Sequence, residues 1–412
     1  MPGACGWPCL DLLGARVPDA GRLLFVDLET TGLAGGAGTL AFLVGCAWFD
    51  GASFRIRQFF LSSFGAEAEL LDGVARLAAD AAAVVTYNGK SFDLPLLETR
   101  FAMHRRETPF AGLPHVDMLH PARRLWKETA GDVTGVGSSA DTGCRLTALE
   151  RTHCGVTREG DVPGFEIPSR YFGYVRSGDA RPLEAVIEHN RLDLMSLALL
   201  TSRAAELLDR GASGASTARE ALGMGRLYER GGLADQARAC YARAADIAAD
   251  PHRTDLDSTV GATAPPGDLT VDVTVDVTVD ATHAPTCDAS PLPGDATTRG
   301  EALRAYAIAC RRGGLCADAA VAWARILDLG GCPAQIVREA TEALAIHHEH
   351  RLRDPGAARA FALRSLRFEA SLSRQQALHH RLARLDRKLG SVTADATGDA
   401  TRAAATPPLF SA

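Results

Sequence analysis

Several features that would place a chain quickly are missing from these 412 residues. The ten cysteines (Cys5, Cys9, Cys46, Cys144, Cys154, Cys240, Cys287, Cys310, Cys316 and Cys332) form no CxxC pair and no Cys/His cluster at zinc spacing. That excludes the common zinc modules and makes free thiols in a reducing cytoplasm the expectation. Cys5 and Cys9, around Gly6-Trp7-Pro8, are two ligands at most and cannot close a zinc site alone. No run of ~18 apolar residues occurs, and no basic stretch precedes an apolar core at the N-terminus, so neither a membrane span nor export is expected. The glycine run Gly35-Gly36-Ala37-Gly38 lacks the Lys-Ser/Thr of a P-loop and leads into a strand-like segment, where a P-loop leads into a helix. It reads as a flexible turn between strands.

An excess of positive charge is missing too, since the formal net charge is −6. The deficit is local. Between Asp250 and Arg299 stand nine Asp and two Arg, a net of −7, which leaves the rest of the chain at +1 by difference. The acidic balance therefore does not argue against a phosphate-bearing substrate. The length suits two or three domains, and 46% hydrophobic residues is ordinary for globular ones.

What is present centres on RLLFVDLETTG, Arg22 to Gly32. Leu23 to Val26 reads as a buried strand that runs into Asp27 and Glu29, which alternation places on one face. Two neighbouring acids repel each other and lose hydration, so a positive partner is needed unless both face water at a solvated strand end. Hard oxygen ligands suit Mg2+ or Mn2+. Leu40 to Phe49 and Ser53 to Ser63, around the Asp50-Gly51 turn, form a hairpin. Residues 65–80 carry a helical apolar stripe (Leu70, Leu71, Val74, Leu77), and Ala83 to Thr86 is a short strand ending in Tyr87-Asn88-Gly89-Lys90-Ser91-Phe92-Asp93.

Asp93 stands at the head of a helix that continues to Arg105. It either turns back toward the strand ends or, like Ser91, caps the helix. His115 to Leu119 is a last short strand before a helix with Arg123, Arg124 and Lys127, a cluster that contacts phosphates or forms a solvated face. Glu128 to Gly143 reads as a mobile insertion, Arg145 to His153 as a helix. In a long helix from Pro182 to Leu208, His189 and Asp193 lie four residues apart on one face, either as a surface pair or as part of a site.

Taken in order, DLET, YNGKSFDLPLL and HNRLD resemble the motifs of the DEDD 3′ to 5′ exonucleases of the ribonuclease H-like fold. The resemblance is closest to the YprB-like group, supported by GDVPGFEIPSRYFGYVRSGDARPL at 160–183, and covers about residues 20 to 205. It implies an α/β ribonuclease H-like mixed sheet flanked by helices. It further implies metal-dependent hydrolysis of phosphodiester bonds, 3′ to 5′ from single-stranded DNA or RNA ends, with two Mg2+ or Mn2+ ions. By the same carry-over Asp27, Glu29, Asp93 and Asp193 are the metal-site acids and His189 occupies the general-base position. Asn88 and Lys90 are implied contacts to the substrate. One departure stands out: family members with histidine usually place it five residues before the last Asp, and those with a four-residue spacing usually have tyrosine.

Beyond Ala218 the chain turns Ala/Arg/Leu-rich. GRLYERGGLADQARACYARAAD (225–246) aligns with ACRRGGLCADAAVAWARILDLG (309–330), and a third unit follows at 350–366. Ala237/Tyr241, Ala319/Trp323 and Ala357/Phe361 repeat the small-x-x-x-aromatic spacing of tetratricopeptide repeats, against which stands a generic helical bundle. The expected organisation is an N-terminal segment (1–20), the ribonuclease H-like domain (21–209), a first helical repeat (217–249), an acidic disordered linker (250–299) containing VDVTVDVTVD, further repeats (300–389) and a disordered tail (390–412). The repeats suggest a protein partner. Two rival readings remain: a catalytically weak nucleic-acid-binding or scaffold protein acting through its repeats, and a sugar-kinase-like ATPase, whose phosphate loops and adenosine motif are not evident.

Overall fold

The computed structural model describes residues 9–17, 21–32, 36–127, 144–249, 296–367 and 371–403, the last thirteen by backbone alone. The expected insertion at 128–143 and the VDVTVDVTVD stretch lie outside the described residues. Contacts divide the chain into two units, the first reaching Gln236 and the second beginning at Ala237.

The first unit is built on a five-stranded mixed sheet in the order β3-β2-β1-β4-β5. Its strands are β1 (Arg22–Thr30), β2 (Ala41–Asp50), β3 (Ser53–Phe60), β4 (Ala81–Thr86) and β5 (His115–Asp117). β1, β2 and β3 form an antiparallel meander, while β4 and β5 add in parallel on the other side of β1. The Asp50-Gly51 turn joins β2 to β3 as the composition predicts, with Gly51 at φ 60°. β2 is apolar along most of its length because neighbours lie on both edges and helices cover it.

Helices α1 (Leu10–Leu13), α2 (Glu67–Ala78), α3 (Asp93–Met103), α4 (Leu119–Leu125), α5 (Leu146–Cys154), α6 (Ile167–Ser177), α7 (Glu184–Arg210) and α8 (Ala218–Arg230) surround the sheet. Leu24, Val26 and Leu28 of β1 pack with Leu70, Leu71 and Val74 of α2, Leu97 and Phe101 of α3, and Tyr171 of α6 in one core. Tyr171 stacks on Phe42 at 4.2 Å between ring centroids. The strand periodicity of two sends the alternate residues, Asp27 among them, to the other face, where α7 crosses β1 and β2. α8 packs on α4. Gly223 makes this approach possible, since a Cβ there would lie 2.3 Å from the Arg124 carbonyl oxygen, and Trp126 Nε1 donates to Glu220 Oε1 at 3.2 Å.

Among the described residues the second unit is built of helices, with α9 (Ala234–Ile247) entering it, then α10 (Ala296–Arg312), α11 (Cys316–Leu327), α12 (Ala334–His347), α13 (Pro355–Leu366) and α14 (Leu372–Ala403). From α10 onward each helix packs on the next in sequence. Ala237, Tyr241, Ala319 and Trp323 are buried. In the third unit the buried small residue is Ala358, one position beyond Ala357. α10 begins at Ala296, inside the span read as linker, and the α14 backbone runs on to Ala403, into the span read as a structureless tail.

Candidate active site

The acids of the first motif lie within β1 and not beyond its end. Parallel pairing with β4 stops at Phe25↔Val85, whereas antiparallel pairing with β2 continues through Asp27↔Gly45 and Glu29↔Leu43. Asp27 and Glu29 therefore project past the carboxyl end of β4, where the chain turns through Asn88 toward α3. Open parallel sheets present their ligand sites at this edge.

Gly45, opposite Asp27, lets α7 reach the sheet. A Cβ on Gly45 would sit 2.2 Å from Asn190 Oδ1 and 2.8 Å from a Leu194 methyl. The fully buried Asn190 fills that space. Its Nδ2 donates to Asp27 Oδ2 at 2.8 Å and to the Asp27 carbonyl at 3.2 Å, and its Oδ1 accepts from Gln58 Nε2 at 2.9 Å. Gln58 pairs with Gly45 in register, so one row across three strands locks α7 by its amide.

That docking sets His189 and Asp193 against the strand acids. His189 Nε2 lies 4.0 Å from Glu29 Oε1 and 3.7 Å from Asp193 Oδ2. Asp93 joins from the first turn of α3. It is buried, and Phe92 takes the cap position with no side-chain cap bond, so the helix-cap reading of Ser91 and Asp93 does not hold. Asp117, buried at the end of β5, ties the second motif in place. Its carboxylate accepts from Asn88 N at 2.7 Å, Lys90 N at 3.0 Å and Leu119 N at 3.1 Å. Asn88, at φ 67°, and Lys90 are exposed on this turn beside the cluster.

The acids hold protons far more strongly than free carboxylates. Burial, then the charges of Asp193, Glu29 and Asp93, push Asp27 well up, against the pull of the Asn190 hydrogen bond. Burial, Asp193 and Asp93 push Glu29 to about 9. Burial and Asp117 push Asp93 to about 7. Asp193 is raised by burial, which outweighs the lowering by Arg158 and His189. Each acid is thus held against its neighbours' charge, the condition under which a bound dication is most stabilising.

Four residues that the motifs did not mark complete the site. Arg158 bonds Glu150 through Nε at 2.6 Å and Nη2 at 2.7 Å, approaches Asp193 Oδ1 at 2.6 Å, and meets Asp161 Oδ2 at 3.3 Å. Asp161 Oδ1 lies 2.5 Å from His189 Nδ1. Glu150 also accepts from Ser196 Oγ of α7. Burial tends to raise Asp161, but the hydrogen bond and charge of His189 win and hold it below the usual range. Arg158 and Asp161 lie in the 160-region segment and its approach, whose role could not be read locally because their partners are some thirty residues away. The one available signal was the polar stripe His189, Asp193, Ser196 on a single face of α7.

The donor set fits a hard divalent cation. The groups are carboxylates and they are desolvated. Among the described residues, no three His, Cys, Asp or Glu side chains converge closely enough to be ligands of one ion in this geometry.

The sheet order and the flanking helices are those of a ribonuclease H-like fold, and a family model described as the RNase_H superfamily matches residues 24–205. At finer grain, the chain is 35% identical over 186 residues to a protein of Bacillus subtilis (strain 168) that bears the name Uncharacterized protein YprB. The match covers 45% of this chain and 42% of that protein, so the chain spans less than half the length of the curated relative it matches. No helix among the described residues is long and apolar enough to cross a membrane.

Proposed function

We propose that this chain hydrolyses phosphodiester bonds of nucleic acid, acting as a 3′ to 5′ exonuclease on single-stranded DNA or RNA ends. The observation that carries the reading is the grouping of Asp27, Glu29, Asp93 and Asp193, from three distant segments, in one buried place where Asp193 raises the proton affinity of the other three. Gathering like charges without a cation is unfavourable, so the arrangement is understandable as a holder for Mg2+ or Mn2+. When bound, two such ions would supply charge stabilisation of the attacking and leaving oxygens. Asp27, Glu29, Asp93 and Asp193 would hold them.

His189, whose Nε2 faces Glu29 and Asp193, orients the attacking water and accepts its proton. Exposed Lys90 and Asn88 on the neighbouring turn contact a substrate phosphate or terminal sugar. The all-helical unit binds a protein partner through tetratricopeptide-like repeats, a reading supported by the buried Ala237/Tyr241 and Ala319/Trp323 pairs. The free state of the described cysteines accords with a cytoplasmic location.

A catalytically weak nucleic-acid-binding or scaffold protein acting through its helical repeats is the competing reading; among the described residues no three candidate ligands close on one ion in this geometry. Incubation of the purified protein with 5′-labelled linear and circular DNA and RNA, each with Mg2+ or Mn2+, separates the two. Stepwise shortening of linear substrate alone is the expected result. Cleavage of circles would make it an endonuclease, and no cleavage with either metal would leave the scaffold.

A further inference from the structure

We propose that Asp161 is a positioning residue for His189: it fixes the ring so that Nδ1 carries the proton and the Nε2 lone pair faces Glu29 and Asp193. The assignment of His189 to water activation rests on the function proposed above; the Asp161–His189 pairing does not. An ionised carboxylate only accepts hydrogen bonds, so the 2.5 Å contact between Asp161 Oδ1 and His189 Nδ1 makes Nδ1 the donor. With Nδ1 protonated, the neutral ring has its acceptor at Nε2, the nitrogen 4.0 Å from Glu29 and 3.7 Å from Asp193.

Asp161 is itself held on three sides. Its Oδ1 accepts from Val162 N at 2.9 Å and its Oδ2 meets Arg158 Nη1 at 3.3 Å, leaving little freedom to rotate away. Arg158 is anchored in turn by both oxygens of Glu150, a residue 1% exposed. The result is a ladder along one face of α7. Asp161 meets His189, Arg158 meets Asp193 one turn later, and Glu150 meets Ser196 nearly one turn after that. A segment that served only to close the domain would not need to place an acceptor, a cation and another acceptor in step with residues 189, 193 and 196. The arrangement also bears on the four-residue spacing of His189 and Asp193, because a ring held from behind by Asp161 is aimed by that contact as well as by its place on the helix.

The variants Asp161→Asn and His189→Ala, with their double mutant, test this. The readouts are the ring-nitrogen resonances of His189 in metal-free protein, and turnover and KM with Mn2+ on labelled single strands. In the parent the His189 resonances should show a protonated Nδ1 and a bare Nε2. Asp161→Asn should shift that balance toward the other tautomer and lower kcat roughly 10- to 100-fold, the usual scale for the loss of such a partner. KM should stay unchanged, and the substitution should have no further effect in the His189→Ala background. An unchanged tautomer in Asp161→Asn, or a loss of rate that persists in full without His189, would overturn the proposal. If the parent hydrolyses nothing, the nuclease reading fails, while the resonances still decide the role of Asp161. Should Asp161→Asn unfold, Asp161→Glu, which keeps the acceptor on a longer arm, should retain the parent tautomer, and the opposite tautomer in that variant would count against the pairing.

Discussion

Glu29 and Glu349 are glutamates buried to nearly the same degree, 8% and 5% exposed, yet their protons are held in opposite ways. Glu29 is pushed up to about 9 first by burial, then by Asp193, Asp93 and Asp161, against the lowering by Arg158. Glu349 lies in a π-helical turn of the second unit. Arg384 meets both its oxygens at 2.9 and 2.8 Å, Lys388 adds a bond at 3.0 Å, and it is pulled down to about 2. The same side chain, with as little surface exposed, is stable as an anion in one unit and strained as an anion in the other. Burial alone therefore does not decide the fate of a carboxylate: it is the largest push at Glu29, and at Glu349 the hydrogen bond of Arg384 outweighs it. Glu349 finds its countercharge within its own unit, while at the sheet edge Arg158 is outweighed and the acids stay raised.

The sharpest way to break that contrast is to remove one charge from the acid cluster. Asp27→Asn should lower hydrolysis by at least ~10³-fold, the scale of losing a main electrostatic partner of a transition state. In metal-free protein the same substitution should raise the melting temperature, since it relieves repulsion from Asp193, Glu29 and Asp93. Calorimetry beside a nuclease assay reads both. Parent-level activity in the variant would take the centre out of the proposed function.

His189→Ala comes next, with an expected loss of turnover of ~10²- to 10⁴-fold. His189 stands beside the acids without adding to their negative charge, so the concentration of Mn2+ giving half-maximal rate should scarcely move. A large shift in that concentration would instead make the imidazole a ligand.

Glu349→Gln should act in the direction opposite to Asp27→Asn. It leaves Arg384, Lys388 and Arg381 facing one another without their shared anion, and should destabilise the second unit by about 1 to 3 kcal/mol, a range kept low because Arg384 and Lys388 are nearly half exposed. Denaturant melts of parent and variant give the difference directly. Neutral or higher stability in Glu349→Gln would mean that the cation cluster is relaxed without its acid.

The gentlest test is pH. Glu29 is raised from 4.5 to about 9 and Asp93 from 3.8 to about 7, so between those limits the folded first unit binds more protons than the unfolded chain. Its metal-free stability should therefore fall as pH rises from about 4.5 to about 9, and this slope should flatten when a saturating divalent cation replaces the protons. Glu349 has the reverse sign. Its contribution is present in full above 4.5 and is lost as pH falls toward about 2. Hydrogen exchange resolved by unit, followed over this range with and without Mg2+, should show the two slopes apart, and equal slopes in both units would remove the contrast.

Much of the first unit was legible because its signals are local. The strand at Leu23 to Val26, the Asp50-Gly51 hairpin and the apolar stripe of α2 each follow from a period of two or of nearly four in neighbouring residues. The placing of Asp27 and Glu29 on one face needed nothing more than strand alternation. α6 was not read as a helix, because its aromatic residues Tyr171 and Tyr174 serve contacts to Phe42, Phe60 and Phe64 of distant segments as much as a helical stripe.

Sequence alone determined which residue types stand in which order: two acids on a strand, one at the head of a helix, and a His/Asp pair four apart on another helix. Those are properties of backbone periodicity, and periodicity survives without a fold. Only the tertiary structure decided that Gly45 would admit Asn190 to hold Asp27, that Arg158 would come between Glu150 and Asp193, and that Asp161 would meet His189. Each of these is a contact across many residues whose partners have no local reason to seek each other. They meet because burying the apolar face of α7 on the sheet brings them within hydrogen-bond distance, and once desolvated they have nowhere else to bond.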